Sequence, residues 1–265
     1  MQLRKYLVLC ISFLLITASL AGCAQKSAPT SNQAVQPAAK SLKVYSGAGL
    51  SKPMTEIGQA FEKKTGVKVE YNFAGSAQLL SQMELSKEGD VFIPGDLVDM
   101  DKAIAKGLAK DYKKVVYHIP AIGVPKGNPA HITGLADLAK PGVKVIIGDE
   151  KACAIGKQAM SIFTKNKLWP AVEKNIVAKD ATVNEVVTHT AMKQADASII
   201  TEDNAINAKD IELISIPEDQ NVIETVPVGA LTFTKQAELA QQFVDFAASS
   251  EGKAIFKNLG WKPVE

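Results

Sequence analysis

Cysteine and histidine are scarce, with three of each in 265 residues. Cys10 and Cys23 fall in the N-terminal leader, so Cys153 stands alone in the body of the chain. No internal disulfide is expected, and the domain must rest on its hydrophobic core. His118, His131 and His189 lie in unrelated segments, none with the H-x-x-x-H spacing of a metal-binding helix. No Walker A sequence occurs. Gly47-x-Gly49 lacks the third glycine of a dinucleotide-binding loop, because that position is Lys52. An excess of charge is missing as well: residues 23–265 carry 28 basic and 28 acidic side chains. That balance leaves no basic stripe to suggest a nucleic-acid partner, none is expected, and no cofactor is expected.

What is present begins with an export signal. Arg4 and Lys5 form a positive start, and Leu7 to Leu20 form an apolar run too short to span a membrane. Leu20-Ala21-Gly22-Cys23 resembles the bacterial lipobox, in which cleavage leaves Cys23 as a lipid-bearing N-terminus. Cleavage of an ordinary signal after the small residues, with Cys23 incidental, is the other reading. Residues 1–22 are therefore expected to be removed. Residues 23–40, rich in Ala, Ser, Gln and Pro, read as a flexible tether. The lipid would hold the protein on the outer face of the cell membrane.

From Ser41 onward strands alternate with helices. Strands are expected at Leu42–Tyr45, Val67–Phe73, Asp90–Ile93, Val143–Ile147 and Ala197–Ile200. A helix capped by Ser51 carries Pro53 in its first turn and repeats Met54, Ile57 and Phe61 at helical spacing before Gly66 ends it. Ser76 is expected to cap a helix with Leu79, Leu80 and Met83 on its core face. Further helices are expected over Ile155–Phe163 and about Val183–Lys193. The alternation predicts an α/β fold with largely parallel sheets. A body of roughly 225 residues is large enough to bury one or two cores.

Small residues recur where strands give way to helices: Ser46-Gly47-Ala48-Gly49, Ala74-Gly75-Ser76-Ala77 and Cys153-Ala154-Ile155-Gly156, with Thr182-Val183 a fourth helix start. A helix N-terminus exposes unpaired N–H groups and a partial positive charge, and small side chains let a ligand reach the backbone. Several such ends in one cleft would hold an anion without a cationic side chain. Each turn taken singly also reads as an ordinary capped connection.

Five segments carry a resemblance: VYSGAGLSKPMTEIGQAFEKKTGVKVEYNFAGSAQLLSQ, GDVFIPGD, IPAIGVPKGNP, LADLAKPGVKVIIGDEKACAIG and FVDFAASSEGKAIFKNLGW. Spread from Val44 to Trp261, they resemble the molybdate/tungstate-binding lipoproteins of ABC importers, within the type 2 periplasmic binding proteins. The resemblance implies a two-lobed α/β fold with two crossover strands, not an enzyme, that takes molybdate or tungstate between its lobes and delivers it to an ABC permease. Lobe I would comprise 41–118 and 228–265, and lobe II 119–227, with crossovers near Ile119-Pro120 and Val226-Pro227-Val228. The family's ligand positions fall on Gly49, where a hydroxyl is lost, and on Ser76, Ile155, Val183 and Thr201. Ala48, Gly75, Ala77, Ala154 and Glu202 are secondary candidates. Glu202 is the departure, because a carboxylate facing the cleft would repel a dianion, so it is expected to turn away or pair with a cation. Closure of the lobes on the ligand follows from two hinge segments.

Two other functions use the same residues. Cys153 at a helix N-terminus, with His118, His131 or His189 as base, would make a nucleophilic enzyme. Glu202, Asp203 and Cys153 together would make a receptor for a metal cation, and another oxyanion is a further alternative solute.

Overall fold

The computed structural model describes residues 41–206 and 208–265. The expected signal peptide, the tether and the lipidation position Cys23 lie outside them. In chain order the elements are β1 (Ser41–Gly47), α1 (Ser51–Thr65), β2 (Lys68–Ala74), α2 (Ser76–Ser86), β3 (Val91–Ile93), α3 (Leu97–Ala105), β4 (Lys113–His118), β5 (Pro120–Pro125), β6 (Val145–Gly148), α4 (Ala154–Lys165), α5 (Trp169–Val172), β7 (Ile176–Asp180), α6 (Val183–Ala191), β8 (Ala197–Thr201), α7 (Glu202–Ala205), β9 (Ile211–Ser215), β10 (Glu224–Ala230), α8 (Ala237–Ala248), α9 (Ser250–Asn258) and β11 (Lys262–Pro263). Among the described residues no helix is long and apolar enough to cross a membrane.

The strands form two sheets, ordered β11-β4-β10-β3-β1-β2 and β7-β6-β8-β5-β9. Each sheet with its helices makes one lobe, lobe I around the first and lobe II around the second. Pairing is parallel at β2–β1–β3 and β7–β6–β8, where helical crossovers join the strands. It is antiparallel wherever β4, β5, β9, β10 or β11 takes part. The sheets are therefore mixed rather than largely parallel: β10 returns against the direction of β3 and β4 in lobe I, and β5 runs against β8 and β9 in lobe II. The first passage lies between His118 and Pro120. On the return, β10 pairs with β4 from Glu224, which faces His118. Pairing in lobe I thus begins four residues ahead of Val228.

Lobe I buries Met54, Ile57 and Phe61 of α1 against Phe243, Phe246 and Phe256, with the Phe61 and Phe243 rings edge to face at 5.2 Å. Gly66 ends α1 in the left-handed conformation at φ 73°, as its position after the last helical turn demands. Lobe II buries Ile146, Ile155, Ile162, Phe163, Val186 and Ile199.

Two caps differ from expectation. Leu50, not Ser51, occupies the N-cap of α1, and Gly75, not Ser76, that of α2. Ser51 and Ser76 are the first helical residues. The Ser76 hydroxyl is engaged elsewhere, its Oγ accepting the Gly95 N–H at 3.1 Å. At α6 a complete capping box forms: Thr182 Oγ1 accepts from Glu185 N at 3.3 Å, and Glu185 Oε2 accepts from Thr182 N at 3.2 Å.

Candidate functional site

The small-residue turns meet. β1, β2, β3, β6 and β7 all end at one face, and residues at and after those ends, with His118 of β4, line a cavity of about 30 Å³ between the lobes. That exceeds the roughly 10–15 Å³ needed for one water, and it is far below the pockets of about 300–1,000 Å³ that take drug-sized organic ligands. Its wall comprises Gly47, Ala48, Gly49, Leu50, Ala74, Gly75, Ser76, Gly95 and His118 from lobe I, and Cys153, Ala154, Ile155, Thr182 and Val183 from lobe II. No Lys, Arg, Asp or Glu is among them.

Of the ten positions singled out in the sequence, seven line this cavity: Ala48, Gly49, Gly75, Ser76, Ala154, Ile155 and Val183. Ala77, Thr201 and Glu202 do not. The Ala77 N–H donates to Ala152 O at 3.2 Å, joining α2 to lobe II. The Thr201 hydroxyl donates to Asn204 Oδ1 at 2.9 Å, while Asn204 Nδ2 donates to Gly49 O at 3.0 Å. Thr201 therefore supports the first loop through Asn204. Glu202 stands outside the wall, with its N–H on Ile119 O at 3.0 Å. Sequence reasoning missed Asn204, Gly95 and the place of His118, which lie in segments with no helix-start signal of their own. Thr182 carried such a signal in T-x-x-E.

The first N–H groups of a helix have no acceptor within it. Here α2, α4 and α6 all start at the cavity, and among the described residues the N–H groups of Ser76, Ile155 and Val183 find no protein acceptor. The Ser76 hydroxyl, already accepting from Gly95, keeps its own proton to donate. Three helix ends and a hydroxyl present donors and partial positive charge to one small space, which suits an anion.

The two alternative chemistries lose their basis. The Cys153 thiol is pushed up to about 11, chiefly by burial, which outweighs the Gly156 N–H that favours its thiolate. Its Sγ turns to the carbonyls of Asp149 and Asp180, at 3.6 and 3.8 Å. His189 is paired with Asp180 at 2.9 Å. Among the described residues no three metal-binding side chains gather, so Glu202, Asp203 and Cys153 do not form a cation site.

One charged group does cross between the lobes near the cavity. Lys157 of α4 reaches Asp96 Oδ2 at 3.0 Å and also bonds Asp99 Oδ2, both on α3 or its N-cap. Burial and the neighbouring Asp99 raise the Asp96 pKa despite the ammonium, while the two carboxylates keep Lys157 charged against its own burial. Removing one partner of a buried pair costs about 3–5 kcal/mol where the other cannot reach water. Because this pair joins the two lobes, its loss is expected to be relieved by their parting and hydrating the carboxylates, so the expected effect falls on closure. Lys157→Met is expected to enlarge the ligand-free radius of gyration in small-angle scattering, and the triple variant with Asp96→Asn and Asp99→Asn to restore it. Scattering identical to the natural protein for Lys157→Met would show that the pair does not hold the lobes.

Comparison with known proteins agrees with this architecture. Residues 42–262 match the family model described as bacterial extracellular solute-binding protein. The molybdate-binding protein ModA of Mycobacterium bovis is 27% identical over 250 residues, covering 93% of this chain and 94% of its own. Among solved structures, the sulfate-binding protein SubI of Mycobacterium tuberculosis superposes with a TM-score of 0.77 at 18% identity, covering 85% of this chain and 88% of its own. The periplasmic molybdate-binding protein of Azotobacter vinelandii superposes at 0.71 with 18% identity, covering 84% of this chain and all of its own. With its two lobes, its cavity of backbone donors between them and a family match that runs nearly the length of the folded chain, this protein belongs to the bacterial extracellular solute-binding proteins, a family of binding proteins and not of enzymes.

Proposed function

We propose that the protein is the extracytoplasmic receptor of an ABC importer and captures a tetrahedral oxyanion, molybdate or tungstate, in the cavity between its lobes. The observation that carries this reading is the convergence of three helix N-termini and the Ser76 hydroxyl on a space that no charged carboxylate, ammonium or guanidinium lines. Ser76, Ile155, Val183 and Gly49 supply the main contacts, with Ala48, Gly75 and Ala154 beside them. The chain's similarity to ModA relatives supports molybdate among oxyanions. A lipid on Cys23 and the tether of residues 23–40 keep the receptor beside its permease.

Neutral donors suffice energetically. About six hydrogen bonds to a charged ligand, at roughly 1.5–3 kcal/mol each, total on the order of 9–18 kcal/mol. Ordering and desolvation subtract from that. The remainder reaches the roughly 8–12 kcal/mol of micromolar to nanomolar binding. Sulfate has the same charge and shape, so cavity size decides between them.

The lobes are taken as 41–118 with 228–265, and 119–227, with hinges at Ile119-Pro120 and Val226-Pro227-Val228; the pairing of Glu224 with His118 supports a return that starts a few residues earlier. Calorimetry on residues 41–265 with molybdate, tungstate, sulfate and divalent metals tests the reading. Tight binding of molybdate or tungstate is expected, with sulfate weaker and metal cations silent. A metal cation that binds while every oxyanion fails would overturn it.

A further inference from the structure

His118 is the one side chain of the cavity wall that can become a cation. It ends β4 at the first passage between lobes, is 4% exposed, and lies parallel to the Trp261 ring at 5.9 Å. Its edge reaches the space beside Gly95: a methyl group built on that glycine would meet His118 Cε1 at 3.6 Å and the Ser76 hydroxyl at 3.8 Å. Histidine and serine thus flank the same point. The imidazole Nδ1 is buried and, among the described residues, has no hydrogen-bond partner. A polar atom left in this way costs free energy unless something else meets it.

We propose that His118 is a proton-linked contact of the anion cavity, so that a fully deprotonated tetrahedral dianion is captured together with one proton from solution, held on the imidazole. This rests on the oxyanion reading above. A neutral imidazole has one N–H, and where the Gly95 carbonyl holds it the other nitrogen carries only a lone pair, which a dianion would repel, whereas a protonated ring donates from both nitrogens. The proton comes from water or buffer, and no bond within the ligand changes.

In the absence of ligand, burial lowers the His118 pKa to about 4, with the Gly95 carbonyl acting the other way. The titratable or charged groups on the elements around it include Glu224 of β10, Asp96 at the N-cap of α3 and Asp99 within it, Cys153 at the N-cap of α4 and Lys157 within it, Glu202 of α7 and Lys262 of β11. None of them outweighs burial. A dianion arriving in the cavity favours the charged ring and raises its pKa. Between the two values, affinity falls as pH rises, approaching tenfold for each pH unit, and above the upper value it becomes flat.

Calorimetry of the protein with molybdate, and with sulfate as an anion that stays deprotonated, is run at about pH 6 and about pH 8 in buffers of different ionisation heat. Natural protein is expected to take up a fraction of a proton approaching one at the lower pH and to bind more tightly there. His118→Gln is expected to bind with no proton uptake and no slope, and Glu224→Gln to keep both. Binding by the natural protein without proton uptake would overturn the inference and leave the oxyanion reading standing. The same holds if His118→Gln keeps the natural slope. Failure to bind any oxyanion at either pH would overturn the oxyanion reading itself. The proton count is made on the natural protein, so it decides the matter even if His118→Gln does not fold.

Discussion

Gly75→Ala is expected to weaken oxyanion binding by about a hundredfold or more, close to 3 kcal/mol, while leaving the protein folded. Gly75 sits at φ −62° and ψ 140°, a conformation alanine adopts freely, so lobe I gains no strain. The obstacle is across the cleft. A methyl group there would lie 2.6 Å from Ala152 O and 2.9 Å from Ala181 O, both backbone atoms of lobe II that no side-chain rotation can clear. The adjacent Ala77 N–H to Ala152 O bond marks how close the lobes come. The alanine variant must therefore hold the cleft ajar, separating the α2 donors from those of α4 and α6. Urea unfolding within about 0.5 kcal/mol of the natural protein, with greatly reduced binding and a larger scattering radius, is the expected pattern. Gly49→Ala should do less, because its methyl group meets the Val183 and Asn204 side chains rather than backbone. Natural affinity in the Gly75→Ala protein would show that capture does not need the lobes in contact.

The second large effect concerns stability. Asp203 is buried at the start of α7, with Oδ2 lacking a partner among the described residues. Burial pushes its carboxyl up to about 8, aided by the charge of Glu202 and opposed by its own N–H and Thr201. The folded value lies above the ordinary carboxylate value of 3.8. The neutral acid therefore contributes fully below about pH 4, and the contribution drains away as pH rises towards 8, because the unfolded chain ionises first. A tenfold difference in proton affinity between folded and unfolded chain is worth about 1.4 kcal/mol, so the loss across the window is on the order of 5 kcal/mol at most. Asp203→Asn keeps the shape and cannot ionise. It is expected to match the natural protein near pH 4 and to exceed it by a few kcal/mol at pH 8, measured by urea unfolding at both. Parallel curves for the two proteins across that range would sink the assignment.

How much of this could be read before folding differs from residue to residue. Met54, Ile57 and Phe61 announced α1 through their spacing, and Gly66 its end, because helix periodicity and the left-handed cap are local properties. The turns at Gly47, Gly75 and Cys153 were visible for the same reason, as was the helix start at Val183. The cap positions of α1 and α2 were off by one, and at α2 the Ser76 hydroxyl expected to cap the helix is claimed by Gly95, nineteen residues away. Asn204 and His118 left no local trace, and the parallel sheets expected from alternating strands and helices turned out mixed once β10 returned between β3 and β4 and β5 lay between β8 and β9.

By itself the sequence determined where helices begin, which of their faces are apolar, and that their first turns are built from residues small enough to leave the backbone open. Which of those openings face one another was decided only by the tertiary structure. Two passages of chain between the sheets bring the strand ends of the two lobes together, and that contact, made by residues far apart in order, turns separate N–H groups into one shared space. Hydrogen-bond donors a few residues long are local; a cavity is not, because its walls come from segments more than a hundred residues apart, such as Gly49 and Val183.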